Sequence, residues 1–325
     1  MINIINLFKM LEDEYPSSHD DYTRKIDTPD QLPIYAGISA EKKSFISIKM
    51  DTNLIAISTD IVSCSGYDVR KYKINETEFD FRLIICDLQN KSIFYTVIQD
   101  LVDSVSFIGS SVEILINRLR RWNIFFKHSP SGVLSKKNQI GLFGELCFIK
   151  DNIARSNGLI INCWNGPKGE SKDFMFDSFA VEVKTSSQED HQTIRISNEN
   201  QLDKAGLKEL YLIFNIVNED QMDGSTLPEF IKEIKVLLKK HHIMIEKFEE
   251  LLFGIGYDDR FSELYTERFI RSASWIFNVN DDFPKIIPAD LAKGISNVSY
   301  SVDFSICKNF DGRNILENSL GGYFK

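Results

Sequence analysis

The sequence predicts an α+β protein, with a central mixed sheet flanked by helices, and three features support this fold class. Segments rich in β-branched and aromatic residues dominate residues 24–106 and return near the C-terminus, which predicts strands in both regions. Apolar residues recur at helical spacing in two stretches, 112–122 and 136–152. Between residues 173 and 184 apolar and charged side chains alternate, which is typical of a hairpin with one buried face.

The N-terminal part of the chain is expected to begin with a short amphipathic helix over residues 1–16 and to continue with strands. The strand segments are SFISIKM, LIAIST, FRLIICDL and SIFYTVIQ, and turn-rich pieces such as DTN and INETE separate them. We therefore expect a strand-rich N-terminal domain over residues 1–108.

A core domain over residues 109–220 is expected to follow. It starts with the helical segment SVEILINRLRRWNIFFK and the Pro-, Gly- and Ser-rich linker HSPSGVLS. A helix over 136–152, a hairpin, a short helix near Gln201 and the strand ELYLIFNIV complete it. Residues 221–325 are expected to form a helix-then-strands region that packs on the core, with its helix broken near two adjacent histidines.

Composition excludes several classes of protein. Of 325 residues, 43% are apolar and 26% charged, so the chain is neither disordered nor collagen-like nor a coiled coil. The net charge of −9 argues against a protein that coats nucleic acid with its whole surface, although it allows a local basic surface. The five cysteines contain no C-x-x-C and indicate neither a disulfide framework nor a zinc ribbon. Without a signal peptide or a long apolar run, we expect a cytoplasmic protein with no membrane partner.

The hairpin KDFMFDSFAVEVKTS brings charged residues together. If Asp177 and Ser178 form a two-residue turn, Asp173 lies opposite Glu182. Alternation then places phenylalanine and valine side chains on one face, and Asp173, Glu182 and Lys184 on the other. Because like charges directly opposite each other are destabilising, two carboxylates about 5 Å apart predict a cation between them.

A third carboxylate comes from the helix over residues 136–152. Between Lys137 and Lys150 its only charged residue is Glu145, whose neighbours three and four positions away are apolar. An unpaired carboxylate on such a face would cost several kcal/mol or take up a proton, and a nearby cation would offset that cost. Gly141 and Gly144 would let this helix approach a sheet closely.

The residues alone leave two interpretations of this cluster: a metal site, or a solvated sheet face whose charges lie in water. Glu-x-Lys also occurs at Glu41, in a polar turn, and at Glu233, on a helix where residues two apart point in different directions. Only Glu182-Val183-Lys184 lies on an alternating strand opposite an aspartate.

The order of these motifs resembles the PD-(D/E)XK nuclease superfamily, with its restriction-endonuclease-like fold. The segments RRWNIFF, GLFGELCFI, KDFMFDSFAVEVKTS and HQTIRISNENQL, over about residues 105–215, resemble a bacterial family assigned to that superfamily. Lys172 stands where the superfamily name has proline, a residue that is often lost there. The resemblance implies a restriction-endonuclease-like core in a metal-dependent endonuclease that hydrolyses DNA with Mg²⁺, and Mn²⁺ as a substitute.

Carried over to this sequence, the resemblance makes Asp173 and Glu182 the Mg²⁺ ligands, together with the backbone carbonyl of Val183. Lys184 would orient or deprotonate the attacking water, and Glu145 would complete the metal's shell through water or hold a second ion. This assignment agrees with the preference of Mg²⁺ for hard oxygen ligands.

Basic residues near these motifs are expected to contact DNA. Arg118, Arg121 and Lys172 are candidates to line a phosphate path, in a part of the chain where basic residues predominate. His191 and Gln201 follow the second hairpin strand and are candidates to contact substrate. Each has a structural alternative: solvent-exposed helices are often rich in lysine and arginine, and loop histidines are often structural.

Partner proteins are also implied by the resemblance. Genes of the resembling family lie in phage-defence or restriction-like operons beside ATPase, helicase and methyltransferase genes, and this chain has no G-x-x-x-x-G-K-[ST] motif of its own. The resulting hypothesis is a Mg²⁺-dependent DNA endonuclease of such a system. The alternative is a non-catalytic subunit whose nuclease-like core binds DNA or a partner, and RNA cleavage is also compatible with the sequence.

Overall fold

The computed structural model describes residues 2–15, 20–28, 32–52, 58–86, 91–107, 111–187 and 192–324. The chain forms two compact units, Met1–Val133 with Ile255–Arg260, and Leu134–Gly254 with Phe261–Lys325. These units divide the chain at other positions than the domains 1–108, 109–220 and 221–325, and that three-domain division remains a prediction. None of the helices in the described segments is both long and apolar enough to cross a bilayer.

The first unit is built on one antiparallel sheet in the order β1-β2-β3-β5-β4. Its elements are α1 (Ile4–Glu14), β1 (Tyr22–Lys25), β2 (Ile34–Ile38), β3 (Ser44–Asp51), β4 (Asp68–Lys73), β5 (Glu78–Ile84), α2 (Lys91–Phe107) and α3 (Val112–His128). The expected N-terminal helix and the strands at SFISIKM and FRLIICDL are present. Four of the six residues of the expected strand LIAIST, residues 54–57, lie outside the described residues.

The segment SIFYTVIQ, which the sequence predicts as a strand, belongs to the 17-residue helix α2. Its buried residues recur three and four positions apart: Phe94, Val97, Ile98, Leu101 and Val105 are all buried. The prediction was wrong because β-branched and aromatic residues favour strands only weakly. Burial of one continuous helical face outweighs that preference.

The second unit contains a mixed sheet in the order β10-β11-β9-β7-β6, in which β7 and β9 are parallel and the other pairs antiparallel. Strands β8 and β12 form a separate pair. The elements are α4 (Lys136–Ser156), α5 (Ile160–Cys163), β6 (Phe174–Met175), β7 (Phe179–Ser186), β8 (Thr193–Ile196), β9 (Glu209–Glu219), β10 (Ser225–Thr226), α6 (Leu227–Leu237), α7 (His242–Gly254), β11 (Arg268–Asn278), β12 (Tyr300–Asp303), α8 (Phe304–Cys307) and α9 (Arg313–Tyr323). The α+β class is therefore confirmed.

Local sequence signals account for the ends of the main helices. The Ser135 side chain caps α4 by accepting the N–H of Asn138, and the helix ends at Ser156, followed by Asn157 in the left-handed region with φ 48°. The helix break expected at the two histidines is present between α6 and α7. The short helix expected near Gln201 was wrong: residues 198–202 form turns, and the Gln201 side chain accepts the N–H of Ser197 at 2.8 Å.

Side chains of other elements pack on both faces of strands β7 and β9, and this packing determines whether the charged residues of the hairpin contact water. Glu182 pairs with Leu212 and Lys184 with Phe214 in the parallel register. Leu212 and Phe214 belong to a buried apolar cluster on that face. Glu182 is therefore only 1% exposed, and the interpretation as a solvated sheet face is wrong.

Candidate active site

The hairpin of β6 and β7 has the register expected from its two-residue turn. Phe174 pairs with Val181, and both side chains are fully buried. Asp173, one residue before β6, consequently lies opposite Glu182. The sequence thus located two of the three carboxylates correctly relative to each other.

Backbone hydrogen bonds hold Asp173 at the end of the edge strand. Its Oδ2 accepts the N–H of Val183 at 2.7 Å. Its own carbonyl accepts the N–H groups of Asn165, at 2.7 Å, and Gly166, at 3.1 Å. Because the N–H and C=O of one strand residue point to the same side, the Val183 carbonyl also faces the end of β6. A carboxylate and a carbonyl therefore share this edge of the sheet.

Glu182 and Lys184 form an ion pair within this buried site. The Lys184 Nζ lies 2.7 Å from Glu182 Oε1, whereas Glu182 Oε2 is buried without a hydrogen-bond partner among the described residues. Burial, with a smaller contribution from the charge of Asp173, raises the pKa of Glu182 to about 8. A buried carboxylate oxygen without a partner is costly, and a proton, a water molecule or a cation would offset that cost.

Glu145 reaches the same place from helix α4. Its Oε2 accepts the indole N–H of Trp164 at 2.7 Å, and Trp164 is fully buried. Burial and the nearby charge of Asp173 raise the pKa of Glu145 well above its usual range, although the Trp164 bond opposes the shift. Sequence reasoning missed Trp164, because a lone tryptophan 19 positions from Glu145 carries no signal of that contact.

Gly166 shows how close the carboxylates of Glu145 and Asp173 lie. A Cβ atom at Gly166 would lie 2.6 Å from Glu145 Oε2 and 3.3 Å from Asp173 Oδ1. Both oxygens therefore line one small space that a side chain at this position would fill. Sequence reasoning also missed Gly166; the available signal was the turn sequence Asn-Gly-Pro.

A second glycine sets the distance between α4 and β7. A Cβ atom at Gly144 would lie 1.8 Å from Thr185 Oγ1, so the helix packs directly against the strand beside Lys184. Gly141, also expected to allow a close approach, has no such neighbour within 4 Å. The close contact at Gly144 positions the adjacent Glu145.

Alanine at these two glycines is expected to have opposite effects on stability. Gly144→Ala must displace Thr185, and we expect a loss of about 1–3 kcal/mol of unfolding free energy. Gly141→Ala places a methyl group in open space on a helix and should raise the unfolding free energy by about 0.5–1 kcal/mol. Denaturant unfolding of both variants tests this, with Gly144→Ala/Thr185→Ala expected to recover part of the loss. Equal stabilities of the two single variants would contradict the close packing.

Two of the three remaining candidates in the second unit, Lys172 and Gln201, form hydrogen bonds within it. Lys172 is 3% exposed, donates to the carbonyl of Asn200, and has a pKa lowered by burial. Gln201 is bound to Ser197, as described above. His191 lies outside the described residues. Contacts of all three candidates with DNA remain predictions.

The arginine candidates lie on α3, in the first unit. Arg118 binds the carboxylate of Asp100 through two hydrogen bonds of 2.5 Å. Arg121 also has an interaction partner within the structure. A role for either arginine in phosphate binding remains a prediction, and for Arg118 it would require competition with Asp100.

The donor set suits a hard divalent cation. Within the described ranges, no group of three His, Cys, Asp or Glu side chains is arranged as around a metal ion, and Glu182 pairs with Lys184 instead. Nevertheless Asp173, Glu182 and Glu145 are all oxygen donors, and Glu182 Oε2 is unpaired. Oxygen donors of this kind are the ligands that Mg²⁺ and Mn²⁺ prefer.

Comparisons with known proteins agree with the motif order. No curated protein and no solved structure matches the chain. A family model described as "Putative PD-(D/E)XK family member, (DUF4420)" matches residues 4–305, a range that contains every residue of the carboxylate cluster. The resemblance inferred from the motifs is thereby confirmed, and the chain belongs to this PD-(D/E)XK family.

Proposed function

We propose that the chain is a Mg²⁺-dependent nuclease that hydrolyses DNA phosphodiester bonds on a restriction-endonuclease-like core. The observation that carries this proposal is the cluster of Asp173, Glu182 and Glu145 beside the ammonium group of Lys184, in which Glu182 is buried and the other two carboxylates are half-buried. Three carboxylates so close together repel one another, and the pKa values of Asp173 and Glu182 stay raised although the charges of Lys184 and Lys172 lower them. A divalent cation would remove this cost.

Asp173, Glu182 and Glu145 would hold the ion, together with the carbonyl of Val183. When bound, the ion supplies positive charge for the phosphate oxygens and lowers the pKa of a water ligand. Mn²⁺ would substitute for Mg²⁺, because both ions prefer oxygen ligands.

Residues of the chain itself would orient the attacking water and hold the carboxylates in place. Lys184, held 2.7 Å from Glu182, would orient the attacking water or accept its proton. The Val183 N–H fixes the carboxylate of Asp173, and the Trp164 indole fixes that of Glu145. Trp164 is thus a positioning residue, since it acts through Glu145.

We further propose that a partner brings this nuclease to its target in a phage-defence or restriction-type system. The net charge of −9 disfavours tight unassisted binding to DNA. Partners of the ATPase, helicase or methyltransferase classes would supply the delivery step.

The test is cleavage of supercoiled plasmid DNA by the purified chain, alone and with proteins encoded in its operon. We expect nicking or cutting with Mg²⁺ or Mn²⁺, none with chelator, and a higher rate with a partner. A parallel assay with an RNA substrate tests whether the chain cleaves DNA, RNA or both. Binding of DNA without cleavage in every arm would instead support the non-catalytic subunit.

A further inference from the structure

The second unit contains a cavity of about 320 Å³ between α4, β9, β11 and α9. None of the carboxylate-cluster residues lines it. Asn215 lines the cavity. In the β7–β9 register it pairs with Thr185, one position after the pair of Lys184 and Phe214. Because side chains alternate along a strand, the cavity lies on the opposite sheet face from Glu182 and Lys184.

Three arginines contribute to the cavity lining. Arg271 binds Asp151 at 2.7 and 3.0 Å, and Arg155 binds Glu317 at 2.5 Å. The guanidinium of Arg313 donates to the carbonyl of Ser274 at 3.0 Å, and no carboxylate pairs with it in the described part of the chain. Among the described residues of the lining there is therefore one more cation than there are anions.

The inner part of the cavity combines an unpaired acceptor with apolar walls. Asn215 is 1% exposed, and its Oδ1 has no hydrogen-bond partner among the described residues. Its Nδ2 makes a long contact of 3.5 Å with the Gly144 carbonyl. The apolar lining residues include Phe148, Ile213 and Leu316. Apolar walls with a few convergent polar groups are typical of a small-molecule site.

We propose that this cavity binds a mononucleotide. Its phosphate would lie on the guanidinium groups, whose planar donors match phosphate oxygens. Its base would pack on the apolar walls and donate a hydrogen bond to Asn215 Oδ1. Inorganic phosphate would use only the arginines, and the volume is of the size that small-ligand pockets have, about 300–1,000 Å³.

The position of the cavity would couple the ligand to the nuclease site. Asn215 lies beside Thr185, which directly follows Lys184 on β7. A base that contacts Asn215 would therefore be coupled to β7, the strand that carries the proposed catalytic lysine, through the pairing of β9 with β7. The binding itself does not depend on the proposed nuclease activity, so each can fail separately.

The test is calorimetric titration of the full chain, in chelator, with AMP, adenosine and inorganic phosphate. We expect AMP to bind at least about 10-fold more tightly than adenosine or phosphate. Arg313→Ala and Arg155→Gln should each weaken AMP binding at least about 10-fold, as expected for loss of a charged hydrogen bond to phosphate.

Arg195→Ala is the control variant and is expected to bind AMP as the wild type does, because it removes an exposed arginine on β8 that does not line the cavity. Melts without ligand verify that each variant is folded. The proposal is overturned if AMP gives no heat at millimolar concentration, if phosphate binds as well as AMP, or if both cavity variants retain wild-type affinity.

Discussion

Lys184→Ala is expected to lower the rate of metal-dependent DNA cleavage by at least about 10²-fold, the effect of removing a group that activates water. Lys184 donates a hydrogen bond to Glu182, and its side chain lies on the same face of β7 as that carboxylate. Asp173→Ala and Glu182→Ala should have effects of at least the same size, because each removes a proposed metal ligand. Initial rates on plasmid DNA in Mg²⁺ measure all three losses.

The matched control is Lys235→Ala, which alters the same Glu-x-Lys spacing on helix α6. Lys235 pairs with Glu249 at 2.6 Å, and residues two apart on a helix do not share a face. We expect wild-type cleavage from this variant. A Lys184→Ala protein that cuts at the wild-type rate would refute the assigned role of Lys184, even if metal dependence were retained.

Asp173→Asn is expected to stabilise the metal-free protein by about 0.5–2 kcal/mol at pH 8 and above, because replacing a strained active-site residue often raises stability. Burial raises the pKa of Asp173, and its charge raises the pKa values of Glu145 and Glu182. Asparagine removes this charge, while its side-chain oxygen can still accept the Val183 N–H. Mg²⁺ should stabilise the wild type by mass action and the variant far less.

The pH dependence has a definite sign. A carboxyl whose folded-state pKa is raised stabilises the fold fully below its unfolded pKa, near 4, and loses that contribution as pH rises through the raised value. With the pKa of Glu182 at about 8, metal-free wild type should lose at least about 2 kcal/mol between pH 5 and pH 8.5. Saturating Mg²⁺ should flatten this profile.

Denaturant unfolding of wild type and Asp173→Asn, each in chelator and in millimolar Mg²⁺, measures both effects. Asp177→Asn is the matched control, since it makes the same change at the exposed turn of the same hairpin. The prediction fails if Asp173→Asn is less stable than wild type in chelator, because Lys184 and Lys172 would then already compensate Asp173. Equal stabilisation of both proteins by Mg²⁺ would also contradict it.

Short-range patterns in the sequence determined much of the hairpin and of α4. The turn at Asp177 and the alternation after it determine the register that places Asp173 opposite Glu182, because strand pairing follows from turn length. The Ser135 cap and the lone charge at Glu145 are likewise properties of neighbouring residues. These features depend on a few consecutive positions and were predictable without the rest of the chain.

Tertiary structure alone decided whether those charges are buried and what they contact. The burial of Glu182 requires β9 and the apolar cluster around Phe214, which lie about 30 positions further along the chain. The Trp164–Glu145 bond and the close packing of Gly144 on Thr185 join separate elements. The segment of α2 also became a helix through packing, against the strand preference of its residues. Burial and long-range contacts depend on which elements meet in space, and no local pattern of residues specifies that.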